Sequence, residues 1–264
     1  MPRGARGIAL AVVAAARTVV AAPMPLDLSA EATFADAVQV AVHVVNTSGA
    51  PLRAVAPEIR HRLLERTAPE IELAAGARHV WQVAFPLPAR AQGDALIVLV
   101  RWTDAGGQRH SQPYARLVET PGLLPTEAQV IVEAEVAEGY QQAGVRITNA
   151  TGNPLRGRLA AVIPDEFFTT PAAQPVDVPP RQTLRVPITV QGDAEAGTTY
   201  PLYAILSFEQ GGIPRAIVGE TVLGVGGSPN RSRVRPLAVG LAGLLLAIGA
   251  VLLANRRAAR RLSG

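Results

Sequence analysis

The stretches VHVVNTSGAPLRA (residues 42–54) and VRITNATGNPLRG (residues 145–157) are one pattern written twice, 103 positions apart. Identical residues recur at Asn46/Asn149, Gly49/Gly152, Pro51/Pro154, Leu52/Leu155 and Arg53/Arg156. Asn46-Thr47-Ser48 spells an N-glycosylation acceptor, while Ser48-Gly49-Ala50-Pro51 spells a tight turn. Recurrence favours the turn. Asparagine tolerates turn geometry, glycine permits positive φ, and proline fixes the angle at which the chain leaves. Asn46, Gly49, Pro51, Asn149, Gly152 and Pro154 are therefore read as structural turn residues.

Outward from this stretch the repetition continues. IELAAGARHVWQVAF (71–85) parallels VDVPPRQTLRVPITV (176–190) at an offset of 105, and RWTDAGGQR (101–109) parallels SFEQGGIPR (207–215) at 105 to 106. A unit of this length is too long for a solenoid and suits a β-sandwich. Val38, Val40, Val42 and Val44 alternate with polar or small residues, as do Val130, Val132 and Val136, which is the period of half-buried strands. Trp81, Val83 and Phe85 share one face of another strand. ALIVLVRW (95–102) is continuously apolar and reads as a strand in the middle of a sheet. EIRHRLLER (58–66) fits either a short helix or a charged edge strand. The expected class is all-β, with sandwich domains at residues 25–120 and 121–225.

The two ends carry addresses. Arg3 and Arg6 precede an apolar run and then small residues, the pattern of a secretory signal peptide over residues 1–22. After a glycine-rich linker at residues 226–236, residues 237–254 form an uncharged apolar stretch of eighteen. As a helix it would be about 27 Å long, close to the thickness of a bilayer's hydrocarbon core. Arg256, Arg257, Arg260 and Arg261 flank it in a basic tail, 255–264, which favours a cytoplasmic C-terminus. The expected location is the cytoplasmic membrane, single-pass, with the bulk of the chain extracytoplasmic. A competing reading makes Gly226-Gly227, the span and the arginines a sorting tail.

Composition narrows the chemistry. The absence of cysteine excludes disulfides, thiolate catalysis and Cys-ligated zinc. All 25 basic residues are arginine, which fits codon bias in a GC-rich bacterial genome. Seven of them lie after residue 230, and without those seven the net charge of +4 becomes −3, so no domain face is set up for nucleic acid. His43, His61, His79 and His110 lack metal-ligand spacing, and no GxSxG elbow, P-loop or post-strand GxGxxG occurs. Asp104 belongs to a hairpin turn, and Asp165-Glu166 offer too few oxygens for calcium. No catalytic, cofactor or metal residue is assigned, and the expectation is that the protein is not an enzyme. Phe167 and Phe168, of which one must face outward from a strand, and Arg60 and Arg62 are the candidate partner contacts.

The "NTSG.PL" and "NATGNPL" strand ends, the GARHVWQVAF-type strand and the late hairpin resemble the Ig-like repeats of bacterial surface proteins, of the NEW3 and CARDB types, over residues 25 to 225. That resemblance implies two tandem Ig-like β-sandwiches that bind, space or present at the cell surface, with no shared catalytic residues. The functional expectation is a membrane-anchored scaffold or binding protein whose partner is a protein or an envelope polymer. The alternative is an accessory subunit of a membrane transporter or envelope-synthesis complex, docked through its single span.

Overall fold

A computed structural model of the chain describes residues 24–89, 92–137, 140–192 and 198–224. The signal, linker, span and tail expected at 1–22, 226–236, 237–254 and 255–264, with their flanking arginines, lie outside the described residues. All regular structure among the described residues is strand, and no helix among them is long and apolar enough to cross a membrane.

Eight strands come from the first repeat: β1 (Leu26–Phe34), β2 (Val38–Asn46), β3 (Leu52–His61), β4 (Leu64–Thr67), β5 (Ile71–Leu73), β6 (Arg78–Phe85), β7 (Gly93–Thr103) and β8 (Arg109–Glu119). Eight more follow in the same order: β9 (Ala128–Ala137), β10 (Tyr140–Asn149), β11 (Leu155–Val162), β12 (Phe167–Thr170), β13 (Ala173–Val178), β14 (Thr183–Gly192), β15 (Thr199–Gln210) and β16 (Ile213–Gly224). The first set forms sheets β1-β2-β6 and β4-β3-β7-β8, with β5 added to β3. The second forms β12-β14-β10-β9 and β13-β11-β15-β16, and all pairing is antiparallel.

Each pair of sheets closes over its own apolar core, as alternation dictates. Val38, Val40, Val42 and Val44 on β2 are at most 1% exposed and meet Trp81, Phe85, Leu96, Val98 and Val100. In the second core Val145 and Ile147 meet Val186, Ile188, Leu202 and Leu206. Each valine buried this way contributes about 1.5–3 kcal/mol. At one corner of the second sandwich β16 crosses β9 so closely that a Cβ on Gly219 would lie 2.9 Å from the Val130 carbonyl oxygen, so only glycine fits there.

EIRHRLLER resolves as a hairpin. β3 runs to His61, Arg62 and Leu63 make a two-residue turn with Arg62 at φ 60°, and β4 returns along the sheet edge with every residue exposed. Here the repeats diverge: β4 pairs with β3, whereas β12, its counterpart, crosses to the other sheet and pairs with β14.

The two sandwiches do not follow one another end to end. The outer face of β7–β8 packs on the outer face of β15–β16, so the sandwiches lie side by side. Ala95 and Ala115 meet Tyr203, Ile205 and Ala216, flanked by Ile97, Leu117, Val162 and Val218. This contact explains ALIVLVRW. Its even-numbered residues fill the first core, while Ala95 and Ile97 on the other face are covered by the second sandwich. A strand covered on both faces loses its alternation.

Candidate functional site

The recurrent asparagines occupy equivalent cages. Both are fully buried. Asn46 Nδ2 donates to the carbonyls of Ala50 (2.9 Å), Leu73 (3.0 Å) and Ala74 (3.1 Å), and Asn149 Nδ2 to those of Asn153 (2.8 Å), Val178 (3.0 Å) and Pro179 (3.2 Å). Each Oδ1 accepts the backbone N–H and the hydroxyl two residues on, from Ser48 (2.9 and 2.6 Å) and from Thr151 (3.0 and 2.6 Å). The serine or threonine of the apparent glycosylation acceptor is thus part of the cage, and a folded Nδ2 has no room for a sugar. The glycine expectation needs correcting. Gly49 and Gly152 are outside the left-handed region, because the Asx turn is closed by the side chain and asks no unusual φ of them. The left-handed position lies across the cage, at Gly76 (φ 72°) in the first repeat and at Arg181 (φ 56°) in the second. Pro51 and Pro154 stand directly before β3 and β11.

Polar side chains gather at both ends of the seam between the sandwiches. At one end Arg101 joins Glu58 (2.7 Å) on its own sheet to Asp165 (2.6 Å) on the loop after β11. Hydrogen bonds to Asp165 and then Glu58 keep this guanidinium charged. Burial alone would raise the Glu58 carboxyl, but the Arg101 hydrogen bond and the charges of Arg60 and Arg101 bring it below the usual range. Beside them Glu166 accepts from the Ser111 N–H (2.8 Å) and hydroxyl (2.9 Å), and Ser111 Oγ accepts from the Asp165 N–H (2.6 Å). At the other end Arg215, 7% exposed, has Glu119 at 3.6 Å. Between the two ends, burial pushes the Tyr203 phenol well up, with Glu220 and Tyr114 adding to the effect.

Ser111, His110, Asp104 and Glu166 contain the ingredients of a nucleophilic triad but not its wiring. His110 stacks on Trp102, with Nε2 3.0 Å from Asp104 and Nδ1 3.7 Å from Glu166. The Ser111 hydroxyl points to Glu166 instead of to the imidazole, and Ser111 is 1% exposed, so no substrate reaches it. The His110 hydrogen bond lowers the Asp104 carboxyl, whose other oxygen closes the hairpin at Gln108 N–H (2.9 Å). Asp165 and Glu166, weighed from sequence as cation ligands, instead hold the first sandwich. Among the described residues no three His, Asp or Glu converge as a metal site would require.

The candidate contacts separate into two regions. Phe167 enters the second core against Tyr200, with ring centroids 4.7 Å apart, while Phe168 faces out, 57% exposed. Arg60 is held by Glu58 and by Glu65 (3.1 Å), and Arg62 forms the hairpin turn beside Leu63, which is fully exposed. Arg101 and Ser111 meet the loop before Phe168, and Glu119 meets Arg215, so β3's hairpin and Phe168 lie at opposite ends of the paired sandwiches. With the hairpin end goes a shallow open depression of about 730 Å³ lined by Pro154, Arg156, Gly157, Ser207, Phe208 and Glu209. Sequence reasoning missed Arg101, Ser111 and Arg215. The one signal was a charge set against an apolar strand at Arg101.

No family model and no curated protein matches the chain. Among solved structures it is similar to red sea bream transglutaminase (16% identity, TM-score 0.29, 78% of this chain and 32% of that one). A Salmonella alpha-2-macroglobulin mutant, Y1175G, matches at 14% identity and TM-score 0.31 over 76% of this chain and 16% of that one. Elastase-activated Escherichia coli alpha-2-macroglobulin matches at 14% identity and TM-score 0.28 over 76% and 22%. The chain therefore spans a third or less of these structures.

Proposed function

We propose that this protein is a non-catalytic, membrane-anchored extracytoplasmic scaffold or binding protein, whose two Ig-like sandwiches are held as one body by their seam. The observation that carries the reading is where the polar chemistry goes. Both asparagine cages, the Ser111–Glu166 pair and the Arg101 bridge are spent on holding backbone and sandwiches together. What remains for a partner is contact surface: the Arg62–Leu63 turn, Phe168 and the depression near Arg156. The apolar stretch at 237–254 supplies the anchor, and tethering raises the effective concentration of such weak surfaces. The test is a mild-detergent pull-down of the full chain beside a variant whose residues 237–254 are replaced by an unrelated apolar helix. Partners kept by the variant support presentation by the sandwiches. Partners lost with the native span support the accessory-subunit reading instead.

A further inference from the structure

The duplication lets one sheet edge be compared with its own copy. β6 and β14 are equivalent strands, each pairing on one side with the strand that ends in a caged asparagine. β14 is protected on its other side. β12 covers its end from Thr189 to Gly192, Pro187 cannot donate a hydrogen bond, and the strand carries a charge at Arg185, whose guanidinium lies over Gly144 of β10. Since β14 pairs with β10, the missing N–H of Pro187 faces away from β10. By register Pro187 corresponds to Gln82, Arg185 to Val80 and Thr189 to Ala84. The N–H and C=O groups of Val80, Gln82 and Ala84 therefore face outward from β6, and among the described residues no strand pairs with that side.

Other edges are managed. β4 carries Glu65 and Arg66, β13 carries Pro175 and Asp177, and β12 has four residues. At the opposite edge of β6's own sheet, side chains from β8 cap β1: Gln112 Nε2 donates to the Leu26 carbonyl (3.1 Å) and Arg116 Nη1 to that of Ala30 (2.6 Å). β6 alone is long, free of proline and uncharged from residue 79 to 85, with Val80 41% exposed.

We propose that β6 docks the β6 strand of a second copy of this chain, antiparallel about a two-fold axis centred on Gln82. That register sets Gln82 opposite Gln82 and Val80 opposite Ala84, leaves Arg78 outside the ladder, and forms about six backbone hydrogen bonds. No like charges face each other, so the strand is complementary to itself, as an isologous contact requires. The joined sheet reads β1-β2-β6-β6-β2-β1, and the capped β1 at each end stops growth at two copies. The inference stands whether or not the chain is membrane-anchored.

The experiment uses the full chain in mild detergent. Sedimentation should show a dimer whose fraction rises through the micromolar range, and the variant V80R/Q82P, which writes β14's edge into β6, should weaken it at least about tenfold. Circular dichroism and melting must show that the variant is folded, and Gln82→Arg alone is the fallback if it is not. In this cysteine-free chain, Q82C should form a disulfide-linked dimer on mild oxidation, while V222C, exposed on another sheet, should not. A wild-type chain that remains monomeric to about 100 µM overturns the proposal. So does a dimer that survives V80R/Q82P and gives no Q82C cross-link, because that dimer is made elsewhere.

Discussion

Asn46 and Asn149 do with one side chain what a loop otherwise needs several residues to do. Each ties its own turn to the end of the strand across from it, β5 or β13, by donating to backbone carbonyls on both sides. Replacing either by alanine strands buried carbonyls and removes two acceptor contacts, so a loss of about 2–4 kcal/mol is expected in urea unfolding. Peptide mass spectrometry of the folded protein should find both asparagines unmodified. Arg181 gives the opposite prediction. It stands left-handed where the first repeat has Gly76, so Arg181→Gly should add up to about 1 kcal/mol to stability and Gly76→Ala should remove about as much. The importance of the asparagines was legible because the sequence repeats them. The left-handed position was not, because Arg181 hides it.

Among the elements, the β3–β4 hairpin shows where pattern reading ends. EIRHRLLER alternates poorly, because Leu63 occupies a turn tip and His61 a buried strand end. That histidine gives a pH signature. Burial lowers its pKa, with Arg62 adding to the effect and the Asp94 charge and an Ala95 hydrogen bond opposing it. As pH falls through the ordinary histidine range, the unfolded chain takes up a proton more readily than the folded chain does. Stability should therefore fall as pH drops through this window, and His61→Gln should flatten the slope. A second loss belongs to Glu58. Its pKa is lowered on folding, so its stabilisation is complete above the ordinary carboxylate range and vanishes as pH falls through the folded value. Urea unfolding of wild type and Glu58→Gln from pH 5 down to pH 2.5 separates it from His61. Asp94, raised by burial, acts in the opposite sense there and softens the combined slope.

At the scale of the molecule, two alternating sandwiches were legible from valine spacing and turn repetition, and their side-by-side packing was not. The seam is written in outer-face residues such as Ala95, Ala115, Ile205 and Ala216, which look like tolerated small or apolar surface positions until the second body covers them. Small-angle scattering of a dilute 24–224 fragment should give a radius of gyration of about 17 Å, the value for one compact body of that size. Ile205→Asp, which buries a charge in the seam, should open the pair and enlarge it. The folded-back arrangement has a consequence for how the chain meets its surroundings. Thr47 N–H bonds the Pro25 carbonyl (2.8 Å), so the polypeptide enters at the pole of the Asn46 cage, and Met24 touches both cores. Gly224, opposite Thr199, leaves from the pole where Asp165 and Glu166 clasp the first sandwich, which is the same pole. Arrival and departure thus share one side, as on a plug whose wires emerge together. Whatever is joined before residue 24 and after residue 224 therefore meets the sandwiches on one side, a full strand length from the Arg62–Leu63 tip.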